Sequence, residues 1–161
     1  LDFHETMTPD WNMFRGGVVS LMPQNAHGSL DPSRTVKDQI KLATPPGLYT
    51  NIHKCLSQAG FSDPYAILHK YPHELSGGMA RRVAFAQSLA RSSPFLLADE
   101  PTASLNREMA DPLIDDLISY VKAEGQTLIT VSHDINLLSQ MDRTLELKGG
   151  NITNSTKVKA L

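Results

Sequence analysis

One cysteine, Cys55, stands in 161 residues, so no internal disulfide can form, and a lone thiol fits a reducing compartment. Charge of one sign is not in excess: 15 Lys and Arg face 17 Asp and Glu, for a formal net charge of -2. That balance removes the electrostatic reason to expect nucleic acid or an anionic membrane surface. No apolar run approaches the roughly 18 residues of a membrane span, so any membrane role would be peripheral and through a partner. The opening LDFHETMTPDWNMFRGG has no signal-peptide or targeting character, and residue 1 is Leu rather than Met. We read the chain as a piece of a longer protein, or as a processed form of one. Internal repeats and low-complexity tracts are missing as well.

What remains is an ordinary globular composition, 40% hydrophobic and 20% charged, in a chain long enough for one domain with a real core. VVSLM (Val18 to Met22), FLLA (Phe95 to Ala98) and TLITV (Thr127 to Val131) are too short for helices and predict buried strands. Between them the spacing predicts helices from Thr35 to about Ala43, over NIHKCLSQAGF with Gly60 at its C-cap, and from Tyr65 to Lys70. A longer helix follows Ser76, with Met79, Val83, Ala86, Leu89 and Ala90 at 3–4 spacing and Arg81, Arg82, Gln87 and Arg91 mostly elsewhere. QNAHGSLDPSRT reads as loop, and Asp111-Pro112 as the N-cap and first residue of a helix through Leu113, Leu117, Ile118 and Val121. RTLELKGGNIT predicts a terminal hairpin turning at Gly149-Gly150. Continuous apolar strands alternating with helices define a mostly parallel α/β sheet. FLLA runs into Asp99-Glu100 and TLITV into Ser132-His133, so both polar pairs are expected on the rim at the strands' carboxyl ends, where ligands sit.

The chemistry concentrates between Tyr71 and Asn106. In Leu75-Ser76-Gly77-Gly78-Met79 a hydroxyl and unhindered Gly N–H groups at a helix N-terminus can bind an anion, though a plain N-cap fits these five residues as well. Asp99 at a strand's end can hold Mg²⁺, and Glu100 can polarise a water for in-line attack on phosphorus. Taken alone the pair is equally a solvated acidic turn before Pro101. His133 could donate to a phosphate oxygen, and Gln24 could reach a metal or a water. No G-x-x-x-x-G-K-[ST] loop occurs in the chain, so the usual phosphate cradle is missing.

In order and spacing, Gln24, LSGGM, FLLADE, SLN and SHD resemble the nucleotide-binding subunit of ABC transporters over nearly the whole chain. The resemblance implies a P-loop NTPase (RecA-like) fold with a mostly parallel sheet, incomplete at its N-terminus, plus a helical lobe particular to the family. Residues 1–24 would end the first part of the core with the Q-loop, 25–93 form the lobe, and 94–161 the rest of the core. It further implies ATP and Mg²⁺ as ligands. Gln24 matches the Q-loop, with Asp99 a partner on Mg²⁺; Ser76, Gly77, Gly78 and Met79 belong to the signature motif; Glu100 is the catalytic base. Ser104 and Asn106 fall in the D-loop, and His133 is the switch histidine. In the family two subunits sandwich two ATPs, each signature serving the partner's nucleotide, so a second ATPase subunit, identical or not, and transmembrane permease subunits are expected partners. That places the protein peripherally on the cytoplasmic face of the inner (plasma) membrane, hydrolysing ATP to drive transport, with no nucleic acid expected.

PQNAHGSLDPSRTVKDQI and YPHELSGGM are most similar to the peptide and nickel importer branch, which also carries Met where Met79 replaces the commoner Gln. Asn106 stands where the D-loop usually has Asp. The missing P-loop is expected upstream of Leu1, and the 161 residues by themselves are expected to be inactive. A soluble ABC ATPase acting on ribosomes or DNA, and a non-catalytic fragment, are the alternatives. His69 and His73 are four apart, but Pro72 breaks a helical metal pair, Arg81-Arg82 reads as a helix face, and Trp11 and Phe14 as packing.

Overall fold

The computed structural model describes residues 17–47 and 50–157, so Trp11 and Phe14 lie outside the described residues. Two compact units divide the chain, the first running to Val131 and the second starting at Ser132. The first holds a three-stranded parallel sheet in the order β1 (Val19–Met22), β2 (Phe95–Asp99), β3 (Thr127–Val131). Leu21 lies opposite Leu97, and Leu97 opposite Ile129, so the two-residue period puts them on one face. Ser20, Met22, Leu96 and Ala98 occupy the other and are buried.

The apolar runs predict buried strands, and burial is found on one face only, the other being left uncovered in a chain that lacks the P-loop segment. Leu21 is 56% exposed, Ile129 49% and Val131 61%. The physical reason is one-sided cover: among the described residues the hydrophobic core forms on the Met22, Leu96 and Ala98 side.

That core is continuous with the helices of the first unit: α1 (Ala26–Ser29), α2 (Val36–Ala43), α3 (Ile52–Gln58), α4 (Tyr65–Leu68), α5 (Gly77–Ala90) and α6 (Arg107–Ala123). The helix expected from Thr35 starts one residue later, with Thr35 as its N-cap, accepting from the Asp38 N–H. Gly60, at φ +83°, ends α3 where expected: its N–H bonds Ser57 O, and the Phe61 N–H bonds Leu56 O. α1 interrupts a segment expected to be loop, because the Asn25 side chain accepts from the Gly28 N–H at 2.9 Å and closes one turn.

The start of α6 is a second correction. Asn106, not Asp111, is its N-cap, accepting from the Met109 N–H at 3.1 Å, and Pro112 sits inside the helix. An interior proline loses one i→i−4 bond and costs about 3 kcal/mol in a free helix. The helix runs through it because Ala110, Leu113, Ile114 and Leu117 bury a stripe on both sides of that position.

The second unit contains α7 (Ile135–Ser139) and an antiparallel hairpin of β4 (Arg143–Lys148) and β5 (Asn151–Lys157). Its turn is made by Gly149 and Gly150, both at positive φ, as the alternating pattern predicts.

Candidate functional site

Parallel register fixes one edge of the sheet as the carboxyl rim. Met22 pairs with Ala98 and Asp99 with Val131, so Gln24, two residues past β1, and the Asp99-Glu100 pair leave that same edge. Asp99 is exposed at the end of β2, and Gln24 is exposed as well. Glu100 is half-buried and its backbone has φ +45°, a left-handed conformation that costs a non-glycine residue of order 1 kcal/mol.

Main-chain bonds hold that turn. The Glu100 N–H donates to Val131 O at 2.9 Å, and its carbonyl accepts from the Ala103 N–H at 3.1 Å. The Arg81 guanidinium supplies the rest: one Nη1 donates to the carbonyls of Glu100 and Pro101, both at 2.9 Å. Hydrogen bonds from a charged donor are worth about 1.5–3 kcal/mol, enough to offset the strained φ. Arg81 is the residue that sequence reasoning missed, since it was read as part of a helix face and is only 8% exposed. Burial pulls its pKa below the ordinary arginine value, and the neighbouring Glu100 charge pushes it back up. A signal was present: Arg81 shares 3–4 spacing with Phe85 and Ser88, a second stripe that α5 also buries.

Arg82 is half-buried rather than solvated, donating to the Ala59 carbonyl at 2.7 Å and the Asp116 carboxylate at 2.6 Å. It ties α5 to the end of α3 and to α6.

Ser76 opens α5 as the sequence predicts, its Oγ accepting from the Met79 N–H at 3.3 Å. Gly77 and Gly78 follow at N1 and N2, where the backbone N–H groups have no intrahelical acceptor. The two glycines differ. A Cβ on Gly78 would stand 3.0 Å from Met109 Sδ of α6, whereas one on Gly77 would meet nothing within 4 Å. Packing within the chain therefore gives Gly77 no steric reason to be glycine. A small cavity of about 170 Å³ lies between Ser76, Gly78, Met79 and Leu105, Met109 of the next segment. The Ser76–Met79 turn and the Ser104-Leu105-Asn106 segment are thus neighbours. Ser104 carries φ +63°, and Asn106 is committed to capping α6.

His133 belongs to the second unit, one residue before Asp134, the N-cap of α7. No cluster of three or more His, Cys, Asp or Glu that could hold a metal occurs among the described residues. Mg²⁺ needs none: it takes one or two protein oxygens and completes its shell with phosphate oxygens and water. The exposed Asp99 carboxylate and Gln24 amide on one rim fit that donor set.

A strand-end Asp-Glu pair and a Ser-Gly-Gly helix start are thus carried on a parallel-sheet α/β fold. Residues 2–103 match the ABC transporter family, and the chain belongs to it. The oligopeptide transport ATP-binding protein OppD of Lactococcus lactis subsp. cremoris is 29% identical over 155 residues, 91% of this chain and 46% of the relative. The nickel import ATP-binding protein NikD of Brucella suis is 32% identical over 138 residues, 81% of this chain and 52% of the relative. The chain thus spans about half the length of these curated relatives. In fold it superposes on the dimeric ABC transporter cassette MJ0796 of Methanocaldococcus jannaschii with a TM-score of 0.84 at 24% identity, covering 99% of this chain and 71% of that one. The α/β class expected from the strand pattern, and the resemblance drawn from the five motifs, both hold.

Proposed function

We propose that the protein containing this chain is the ATP-hydrolysing subunit of an ABC importer for a small solute of the peptide or nickel kind. The observation that carries this reading is the carboxyl rim, where Gln24 and Asp99-Glu100 leave one edge of the sheet with the Glu100 turn anchored to α5. The relatives' names, oligopeptide transport and nickel import, support the solute class.

In this reading Asp99 and Gln24 hold Mg²⁺, which when bound neutralises charge on the nucleotide's phosphates. Glu100 orients the attacking water and accepts its proton. His133 donates to a γ-phosphate oxygen. Ser76, Gly77, Gly78 and Met79 receive the nucleotide of a second ATPase subunit through hydroxyl, N–H groups and helix dipole. An approaching phosphate would give Gly77 the steric reason that its own chain does not. Ser104 and Asn106 lie between the two functions and pass the state of one site to the other. Permease subunits complete the assembly, which holds this subunit peripherally at the cytoplasmic membrane face. No described helix is long and apolar enough to cross a membrane.

The test is Glu100→Gln in the intact protein. Mg-ATP binding should persist while hydrolysis falls by at least about 10²-fold, the scale of a lost general base. Near-normal turnover would remove Glu100 from this role.

A further inference from the structure

We propose that Arg81 is a positioning residue for the proposed hydrolysis, a strut through which helix α5 sets the place of the Glu100 turn. The inference rests on the reading of Glu100 given above. Its grounds are geometric. Both bonds from Arg81 Nη1, at 2.9 Å, end on main-chain carbonyls, those of Glu100 and Pro101, so they fix the path of the chain rather than one side chain. Pro101 and Thr102 are buried, and Glu100 holds a left-handed φ that few local forces would select. Arg81 itself lies one helical turn beyond Gly77, so the residue that opens α5 and the turn that carries Glu100 are joined by one side chain. Arg81 is 8% exposed as a residue, so its side chain has little freedom to trade these acceptors for water. Any shift of the first turns of α5 is therefore passed to residues 100–101.

The experiment uses the full-length protein with Arg81→Met, which keeps length without donors, and Arg81→Lys, whose ammonium can still bridge two carbonyls. For Arg81→Met, kcat should fall about 10²-fold, the effect of misplacing a reacting group by roughly an ångström. KM for Mg-ATP should stay within about twofold, since nothing in ground-state binding is removed. Arg81→Lys should recover most of the rate. Amide hydrogen exchange at Glu100 and Ala103 should speed up in Arg81→Met and not in Arg81→Lys. If Arg81→Met fails to fold, Arg81→Gln replaces it, with its shorter reach to the same carbonyls. Unchanged kcat, an unchanged exchange rate at both amides, or equal impairment of the Met and Lys variants would each overturn the proposal. Glu100→Gln measured alongside separates the two claims. If that variant turns over normally, the reading of Glu100 falls, while the exchange rates still decide whether Arg81 holds the turn.

Discussion

Tyr120 is a single side chain whose surroundings make a pH statement. Its ring stands edge-on to Phe85, with centroids 6.0 Å apart, and the residue is 8% exposed. Burial, and then the nearby Glu124 charge, push its phenol up to about 12. A phenol held protonated in the fold binds a proton more tightly there than in the unfolded chain, where it titrates near 10. The resulting stability is complete below about pH 10 and is lost as pH rises towards 12, by up to roughly 3 kcal/mol. Chemical denaturation of the 161-residue chain should show this alkaline loss, and Tyr120→Phe should flatten it. An unchanged pH dependence in that variant would assign the loss to other groups. Cys55 is pushed in the same direction by burial, so it remains a thiol at neutral pH and is a poor nucleophile.

Elements carry the next contrast, because the first turn of α5 sets local stability against proposed function. Gly77 has room for a Cβ and Gly78 meets Met109, so alanine should be better tolerated at Gly77 than at Gly78. Gly77→Ala should stabilise the chain by about 0.4–1 kcal/mol, mainly by restricting the unfolded state. In the intact protein the same change should weaken ATP-driven pairing of two subunits, if a phosphate approaches that turn. Gly78→Ala should gain less or lose stability, since Met109 must move aside. Melting curves read the first effect, and sedimentation of the Mg-ATP-bound protein the second; a stabilised Gly77→Ala variant that pairs normally would remove Gly77 from the anion site. Legibility followed the same scale. Ser76 and Gly60 were readable because caps and positive-φ turns are local chemistry, and the strands because an apolar run declares itself. Arg81 and the true start of α6 were not. A buried arginine is explained only by carbonyls nineteen and twenty residues away, and Pro112 survives inside a helix only through tertiary burial on either side. The left-handed φ of Glu100 leaves no mark in the sequence, since glutamate has no preference for it.

At the scale of the whole molecule, the exposed Leu21, Phe95, Ile129 and Val131, on one sheet face with the half-buried Leu97 between them, are the feature that most constrains behaviour in solution. Among the described residues β1 and β3 are edge strands, so unpaired backbone groups flank an apolar face. Both features favour association between chains. The 161-residue polypeptide should therefore self-associate, and Leu21→Thr with Ile129→Thr, which keep β-branching or strand propensity while adding a hydroxyl, should reduce light scattering and dye binding. The same polypeptide has no G-x-x-x-x-G-K-[ST] loop, whose amides and lysine would cradle the β- and γ-phosphates. Gln24, Asp99, Glu100 and His133 answer, in the proposed reading, only to the γ-phosphate, Mg²⁺ and the attacking water. We therefore expect no phosphate release from residues 1–161 alone, and no affinity for Mg-ATP tighter than roughly millimolar, about -4 kcal/mol. Calorimetric titration of the Thr variant, which limits self-association, against an intact ABC subunit as binding control is the measurement. Micromolar binding by the short polypeptide would mean that its nucleotide site is not the one the family resemblance implies.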